Sequence, residues 1–196
     1  MWNYKTPGIP DEYFERAEKV PITKEEVRTI QLSKARLKPG QTVYDIGCGS
    51  GSISVEAAFQ IESSGKVLAI DYDENAVELT KKNLKKFNLS NVSVILGNAK
   101  EKISELESAD VIFIGGTGGD TAEIVKLSEN KLKSSGRIVI GIILIETLYS
   151  VLQILDKLKF DSIDITQVTI SKSRKTTTGT MMLARNPVTI ISATKV

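Results

Sequence analysis

The chain has 196 residues, enough for one domain with a substantial core, and its 26 basic and 24 acidic side chains leave a net charge of +2, which imposes no nucleic-acid partner. One cysteine excludes an internal disulfide and any multi-cysteine metal site, and the lack of histidine excludes a Ser-His-Asp hydrolase, a His-ligated zinc and a histidine general base. No apolar run approaches the roughly 20 residues of a membrane span, and Met1-Trp2-Asn3-Tyr4-Lys5 lacks signal-peptide order, so a cytoplasmic protein with no metal and no membrane partner is expected.

Pro7, Pro10 and Pro21 mark residues 1–22 as an extended N-terminal arm outside the core, with the main domain spanning 23–196. Thr23-Lys24-Glu25-Glu26 has the form of a capping box, predicting a helix from Thr23 to about Leu37 that Lys38-Pro39-Gly40 stops. Strands and helices then alternate. Thr42–Ile46 reads as a strand, 51–61 as a helix, Lys66–Ile70 as a strand, and Asp73 caps a helix with the stripe Ala76, Val77, Thr80, Leu84 and Phe87 that ends at a left-handed Asn88. Val92–Leu96 and Val111–Ile114 read as strands buried on both faces, with a short helix at 101–106 between them. A helix over 120–132 turns at Ser134-Ser135-Gly136 into a strand over 137–143, followed by an apolar-striped helix from about Glu146. The ending is different: 162–171, 180–184 and 188–193 alternate and are β-branched, with no helix between them. Five β-α units followed by a hairpin predict a parallel sheet with its ligand at the carboxyl edge.

The densest motif is Asp45-Ile46-Gly47-Cys48-Gly49-Ser50-Gly51, with Asp71 twenty residues past the last glycine. The Gly-x-Gly-x-Gly spacing differs from both the dinucleotide fingerprint and the P-loop. It looks like the first motif of Rossmann-like S-adenosylmethionine (SAM) methyltransferases. Backbone N–H groups of Gly47–Gly51 are expected against the methionine end, the Asp71 carboxylate on the ribose hydroxyls, and Asn98 either on the adenine amino group or as a plain turn residue after Gly97. Cys48 is expected to contribute only its backbone, since no base accompanies its thiol.

Two further segments face the acceptor in this reading. Gly115-Gly116-Thr117-Gly118-Gly119 ends the fourth strand and leaves its backbone bare for a bulky substrate or for anions. The run 171–180 is basic and hydroxyl-rich, reads as the link between hairpin strands, and offers Lys172, Arg174 and Lys175, with Arg185 nearby, to carboxylate or phosphate oxygens; a solvated hairpin tip would look the same. Glu146 is the candidate to touch the reacting region, or else a charge that favours a helix N-terminus.

Taken together, Val20-Pro21-Ile22-Thr23 with Glu26-Val27-Arg28, the glycine turn, Gly115–Gly119, Leu144-Ile145-Glu146-Thr147, and Gly179-Thr180-Met181-Met182 with Arg185-Asn186-Pro187-Val188 resemble the decarboxylating cobalt-precorrin-6B carbon-15 methyltransferases of cobalamin biosynthesis. That resemblance implies a class I SAM-dependent methyltransferase fold, α/β and Rossmann-like, with a seven-stranded mostly parallel sheet and a C-terminal antiparallel β-hairpin. It implies SAM contacts by Thr23, Gly47, Cys48, Gly49, Ser50, Gly51, Asp71 and Ala99, with Asn98 standing where Asp is commoner. It further implies a tetrapyrrole substrate and a homotetramer, and admits association with a carbon-5 methyltransferase. The competing readings are an RNA methyltransferase, which the near-neutral charge disfavours, and a non-catalytic SAM-binding subunit.

Overall fold

The computed structural model describes residues 2–196. A 3₁₀ turn at Asp11–Tyr13 is followed by α1 (Glu25–Ala35), β1 (Thr42–Ile46), α2 (Ser52–Ile61), β2 (Lys66–Asp71), α3 (Glu74–Lys86), β3 (Val92–Leu96), α4 (Ala99–Glu105) and β4 (Ala109–Ile114). Then come α5 (Thr121–Lys131), β5 (Leu132–Ile142), α6 (Ile145–Leu155), β6 (Phe160–Val168), β7 (Ser171–Lys175), β8 (Thr180–Ala184) and β9 (Val188–Lys195). The main sheet has the order β3-β2-β1-β4-β5-β9-β6, parallel from β3 to β5, with β9 antiparallel to both of its neighbours. The expected seven-stranded sheet with its closing antiparallel hairpin is therefore present.

Side-chain alternation sorts the core into two layers. Val43, Val67, Val111, Phe113 and Val139 pack with Val27, Leu32, Ile53 and Ala57 of α1 and α2. Tyr44, Ile46, Ile70, Ile112, Ile114 and Ile140 pack with Ile103, Ile124, Val125, Val151 and Leu155 of α4, α5 and α6. The central strands are apolar at successive positions because both faces are covered. β3 departs from that expectation: it is an edge strand, and its five residues are only half-buried or exposed.

Several local expectations are corrected. The N-cap is Lys24 rather than Thr23, and the N–H of Glu25, the first helical residue, is accepted by Asp11 Oδ1 (3.0 Å) from the arm, so Thr23 and Glu26 form no capping box. It ends at Ala35 because Arg36 turns left-handed (φ 54°). The arm is part of the core: Ile9, Phe14 and Val20 are buried, and Phe14 stacks on Phe87 with ring centroids 5.0 Å apart. Ser134-Ser135-Gly136 lies inside β5 as an irregular stretch, where Ser135 has φ 61° and the register against β4 shifts. The basic run is a strand rather than a link: Ser171–Lys175 pairs with Thr180–Ala184 in a separate two-stranded ribbon, and the tip is reduced to residues 176–179. By contrast Asp73 caps α3 through Asn75 N and Asn88 is left-handed (φ 56°), as expected.

Candidate active site

At the carboxyl edge of the sheet the chain encloses a cavity of about 260 Å³ between the ends of β1, β2, β3 and β4. Ile46 and Gly47 form one wall, Ile70, Asp71 and Tyr72 the next, Gly97, Asn98 and Ala99 the third, and Gly116, Thr117, Gly118, Asp120 and Ile124 the fourth. Of the residues singled out in the sequence, Gly47, Asp71, Asn98, Ala99, Gly116, Thr117 and Gly118 line it. Tyr72, Gly97, Asp120 and Ile124 were missed, although Tyr72 and Gly97 adjoin residues that were named.

The glycine turn is held from every side. Gly47 N and Cys48 N donate to Ile70 O (2.9 and 3.2 Å), Gly49 N donates to Asp71 Oδ2 (2.9 Å), Ser50 N to Pro21 O (3.2 Å) and Gly51 N to Cys48 O (2.8 Å). All five N–H groups thus have partners within the chain, which corrects the expectation that they would be donors to a ligand. What the turn offers instead is bare backbone at close range. Gly47, Gly49 and Gly51 all have positive φ, and a Cβ on Gly47 would lie 2.6 Å from Gly116 O, so the β1 turn and the β4 loop touch backbone to backbone. From α3, Thr80 Oγ1 donates to Gly49 O (2.9 Å) and Asn83 Nδ2 to Ser50 O (2.8 Å).

Asp71 is nearly buried, and besides Gly49 N it accepts from Asp73 N (3.0 Å) through its other oxygen. Those bonds fix the carboxylate in plane while each oxygen keeps a further lone pair. Asp45 lies under the turn and takes the Ser54 hydroxyl at 2.5 Å. Burial pushes its carboxyl up to about 6, against the pull of the Ser54 hydroxyl and N–H and with a small addition from Asp71. Burial, with the Asp45 charge beside it, also drives the Cys48 thiol well above its ordinary value; its Sγ sits 3.6 Å from Thr80 Oγ1. Asn98 caps α4 through Lys100 N (2.9 Å) and lines the cavity. At the rim Lys100 bridges to Asp120 (3.1 Å) and Glu123 (3.3 Å).

Other expected residues lie away from the cavity lining. Thr23 sits beside the glycine turn: its carbonyl accepts from Arg28 and, at 3.5 Å, from the Ser52 hydroxyl. Glu146 is exposed in the first turn of α6 and forms no ion pair among the described residues. Lys172 and Arg185 already have counterions in the chain: Lys172 Nζ contacts Glu26 (2.5 Å) and Glu25 (3.5 Å), and Arg185 Nη1 lies 3.8 Å from Glu26. Burial pushes the Glu26 carboxyl up, but the Lys172 bond and the nearby Arg185 outweigh it and hold it below the ordinary range. Arg174 and Lys175 are exposed. Beyond the glycine loop the start of α6 presents consecutive aliphatic side chains to solvent: Ile143 is 69% exposed, Leu144 58% and Ile145 80%.

Residues 12–195 match the precorrin methyltransferase domain. The chain belongs to the precorrin methyltransferase family. It is 48% identical over 196 residues (99% of this chain and 98% of the relative) to a protein of Saccharolobus solfataricus named probable cobalt-precorrin-6B C(15)-methyltransferase (decarboxylating). Its structure superposes on precorrin-6y C5,15-methyltransferase from Geobacter metallireducens with a TM-score of 0.89 at 34% identity, covering 99% of this chain and 100% of the other. A precorrin 8w decarboxylase from Methanobacterium thermoautotrophicum gives a TM-score of 0.88 at 35% identity, covering 94% and 98%.

Proposed function

We propose that this protein transfers a methyl group from SAM to carbon 15 of cobalt-precorrin-6B, or a closely related tetrapyrrole, with loss of the ring C acetate carboxyl, in cobalamin biosynthesis. The observation that carries this reading is the cavity itself. It joins a β2 carboxylate, a polar group at the β3 end and a glycine-only contact between the β1 turn and the β4 loop, in a chain of the precorrin methyltransferase family.

The residues present fit SAM. Asp71 has two fixed oxygens for two ribose hydroxyls, Asn98 has a side-chain oxygen and Ala99 an apolar surface for adenine, and Tyr72 offers a ring at the same wall. Since the N–H groups of Gly47–Gly51 are engaged, the turn serves the methionine end through its shape and through the carbonyl oxygen of Gly47, the turn residue that lines the cavity. Thr23 lies beside it as a further contact. Bound there, SAM supplies an electrophilic methyl group on a sulfonium.

The acceptor lies on the other side of the Gly47–Gly116 contact. A Cβ at Gly116, Gly118 or Gly119 would meet nothing within 4 Å, so the loop opens towards solvent, and Ile143, Leu144 and Ile145 extend it as an apolar shelf for the flat macrocycle. Arg174 and Lys175 are the cations for its peripheral carboxylates, with Lys172 and Arg185 held in reserve by Glu26. An electron-rich meso carbon attacks without a strong base, which suits a chain lacking histidine. In the second half the acetate C–C bond breaks, its electron pair enters the macrocycle and carbon dioxide leaves. Glu146 opens α6 beside the shelf and stands as the candidate for proton handling. The protein works mainly through proximity and orientation.

The exposed Ile163 and Ile165 of β6 and Met181, Met182 and Leu183 of β8 support self-association, for which the family resemblance suggests a homotetramer; light scattering measures it. A cytoplasmic enzyme is the companion reading: among the described residues no helix is long and apolar enough to cross a membrane. Incubating the protein with SAM and cobalt-precorrin-6B tests the activity by mass spectrometry. The expected product has gained one methyl and lost one carboxyl, with S-adenosylhomocysteine released; an unaltered tetrapyrrole would overturn the assignment.

A further inference from the structure

Outside the cavity, the most heavily bonded charged group in the molecule is Arg28, which is fully buried and reaches three separate segments. Its Nε lies 2.5 Å from Glu56 Oε1 of α2, itself almost completely buried. Its Nη2 donates to Ile9 O and its Nη1 to Thr23 O, while its guanidinium carbon lies 4.8 Å from the Phe14 ring centroid. Glu56 completes the clamp by accepting from Gly8 N (2.6 Å) and Ile9 N (3.0 Å). The pair therefore fastens the arm at both of its ends, at Gly8–Ile9 and at Thr23.

The stretch between those anchors lies over the glycine turn. Pro21 O accepts from Ser50 N and sits so close that a Cβ on Gly49 would be 2.8 Å from it. Thr23 O takes the Ser52 hydroxyl at the start of α2, and Asn83 joins Glu15 of the arm to Ser50 O. A buried ion pair adds little net stability, because desolvation offsets much of the attraction. What Arg28 and Glu56 do supply is a fixed position for the backbone from Pro21 to Thr23.

We propose that Arg28 and Glu56 are positioning residues for the methionine end of SAM, holding the arm's Pro21–Thr23 segment against the back of the glycine turn and so fixing the turn that borders the donor site. The adenosine end stands on different elements, namely Asp71, Asn98 and Ala99. Loosening the clamp should therefore damage one half of the ligand site and spare the other. This proposal rests on the SAM reading above.

The test is calorimetry on the full chain with two probes, SAM and adenosine, which shares the nucleoside but lacks the methionine. Glu56→Gln keeps the shape and drops the charge; Arg28→Lys keeps the charge but cannot serve Glu56, Ile9 and Thr23 together. Each variant is expected to bind SAM at least tenfold more weakly while adenosine affinity changes less than twofold. Equal losses for both probes, or unchanged SAM affinity alongside a lowered melting temperature, would overturn the positioning role. Should Arg28→Lys fail to fold, Glu56→Gln and Ser52→Ala, which releases Thr23 O from α2, give the same readout. Failure of the unaltered protein to bind either probe would overturn the SAM reading itself, a result distinguishable from the others.

Discussion

The two sides of the Gly47–Gly116 contact are built differently. On the donor side every N–H of the glycine turn is engaged, the carboxylates are buried, and the arm is fastened across the top by Arg28 and Glu56. On the acceptor side the Gly116–Gly119 loop touches little, Ile143–Ile145 stand in solvent, and the β7–β8 ribbon is exposed throughout. A small invariant ligand suits a pre-formed site, whereas a large macrocycle with many carboxylates suits a surface that can adapt around it.

The largest effect should come from the glycines that divide the two sides. Gly47→Ala combines a left-handed φ of 71° with a backbone clash at 2.6 Å, and is expected to cost about 2–5 kcal/mol of stability together with SAM binding. Gly116→Ala meets no protein atom and should change stability by less than about 0.5 kcal/mol, while tetrapyrrole turnover falls. Equal damage from the two substitutions, by denaturant melts and calorimetry, would show that the two sides are not separable.

Asp45 gives a pH-dependent test of the donor side. Its folded pKa of about 6 lies above the ordinary 3.8, so the folded protein keeps a proton that the unfolded chain has released between those values. The stability contributed is full below about pH 4 and is lost as pH rises through 6. Asp45→Asn removes that fall, and should gain on the unaltered protein between pH 4 and pH 7 by up to about 3 kcal/mol. Urea midpoints across that range measure it, and parallel curves for the two proteins would refute it.

Asp71→Ala comes next, with SAM binding expected to weaken tenfold or more, about 1.4 kcal/mol. Unchanged calorimetric affinity would remove Asp71 from the ribose. On the acceptor side Arg174→Ala should raise the KM for the tetrapyrrole by a contact worth under about 1 kcal/mol, more strongly at low salt, with no change in SAM affinity or melting temperature. A fall in SAM affinity would instead join the ribbon to the donor site.

Much of the frame was legible because local signals and tertiary demands coincide in it. Thr42–Ile46 is buried at every position because both faces are covered, Asp73 caps α3 with its own side chain, and Asn88 ends that helix by turning left-handed. The glycine turn and Asp71 were readable because positive φ demands glycine and a carboxylate closing the second strand borders the cavity at the sheet edge. What escaped depends on partners distant in sequence. Thr23 and Glu26 satisfy the capping pattern, yet Asp11 supplies the acceptor and Lys172 takes Glu26. The prolines suggested a detached arm, whereas Ile9 and Phe14 find α2 and α3 only in the folded chain. The pairing of Lys172 and Arg185 with Glu26 also escaped, because an intramolecular counterion cannot be read from spacing.

The placement of β9 has a consequence for how the chain is made. Residues 188–195 follow β6 in sequence but lie between β5 and β6 in the sheet, pairing with both. During synthesis β6 therefore has no strand to join until β9 has left the ribosome, and Ile138 and Ile140 wait with an open edge. Contacts of this kind make folding slow and its intermediates adhesive. Nascent chains stalled before residue 188 are accordingly expected to be protease-sensitive and to associate through β5, and those carrying β9 to be resistant.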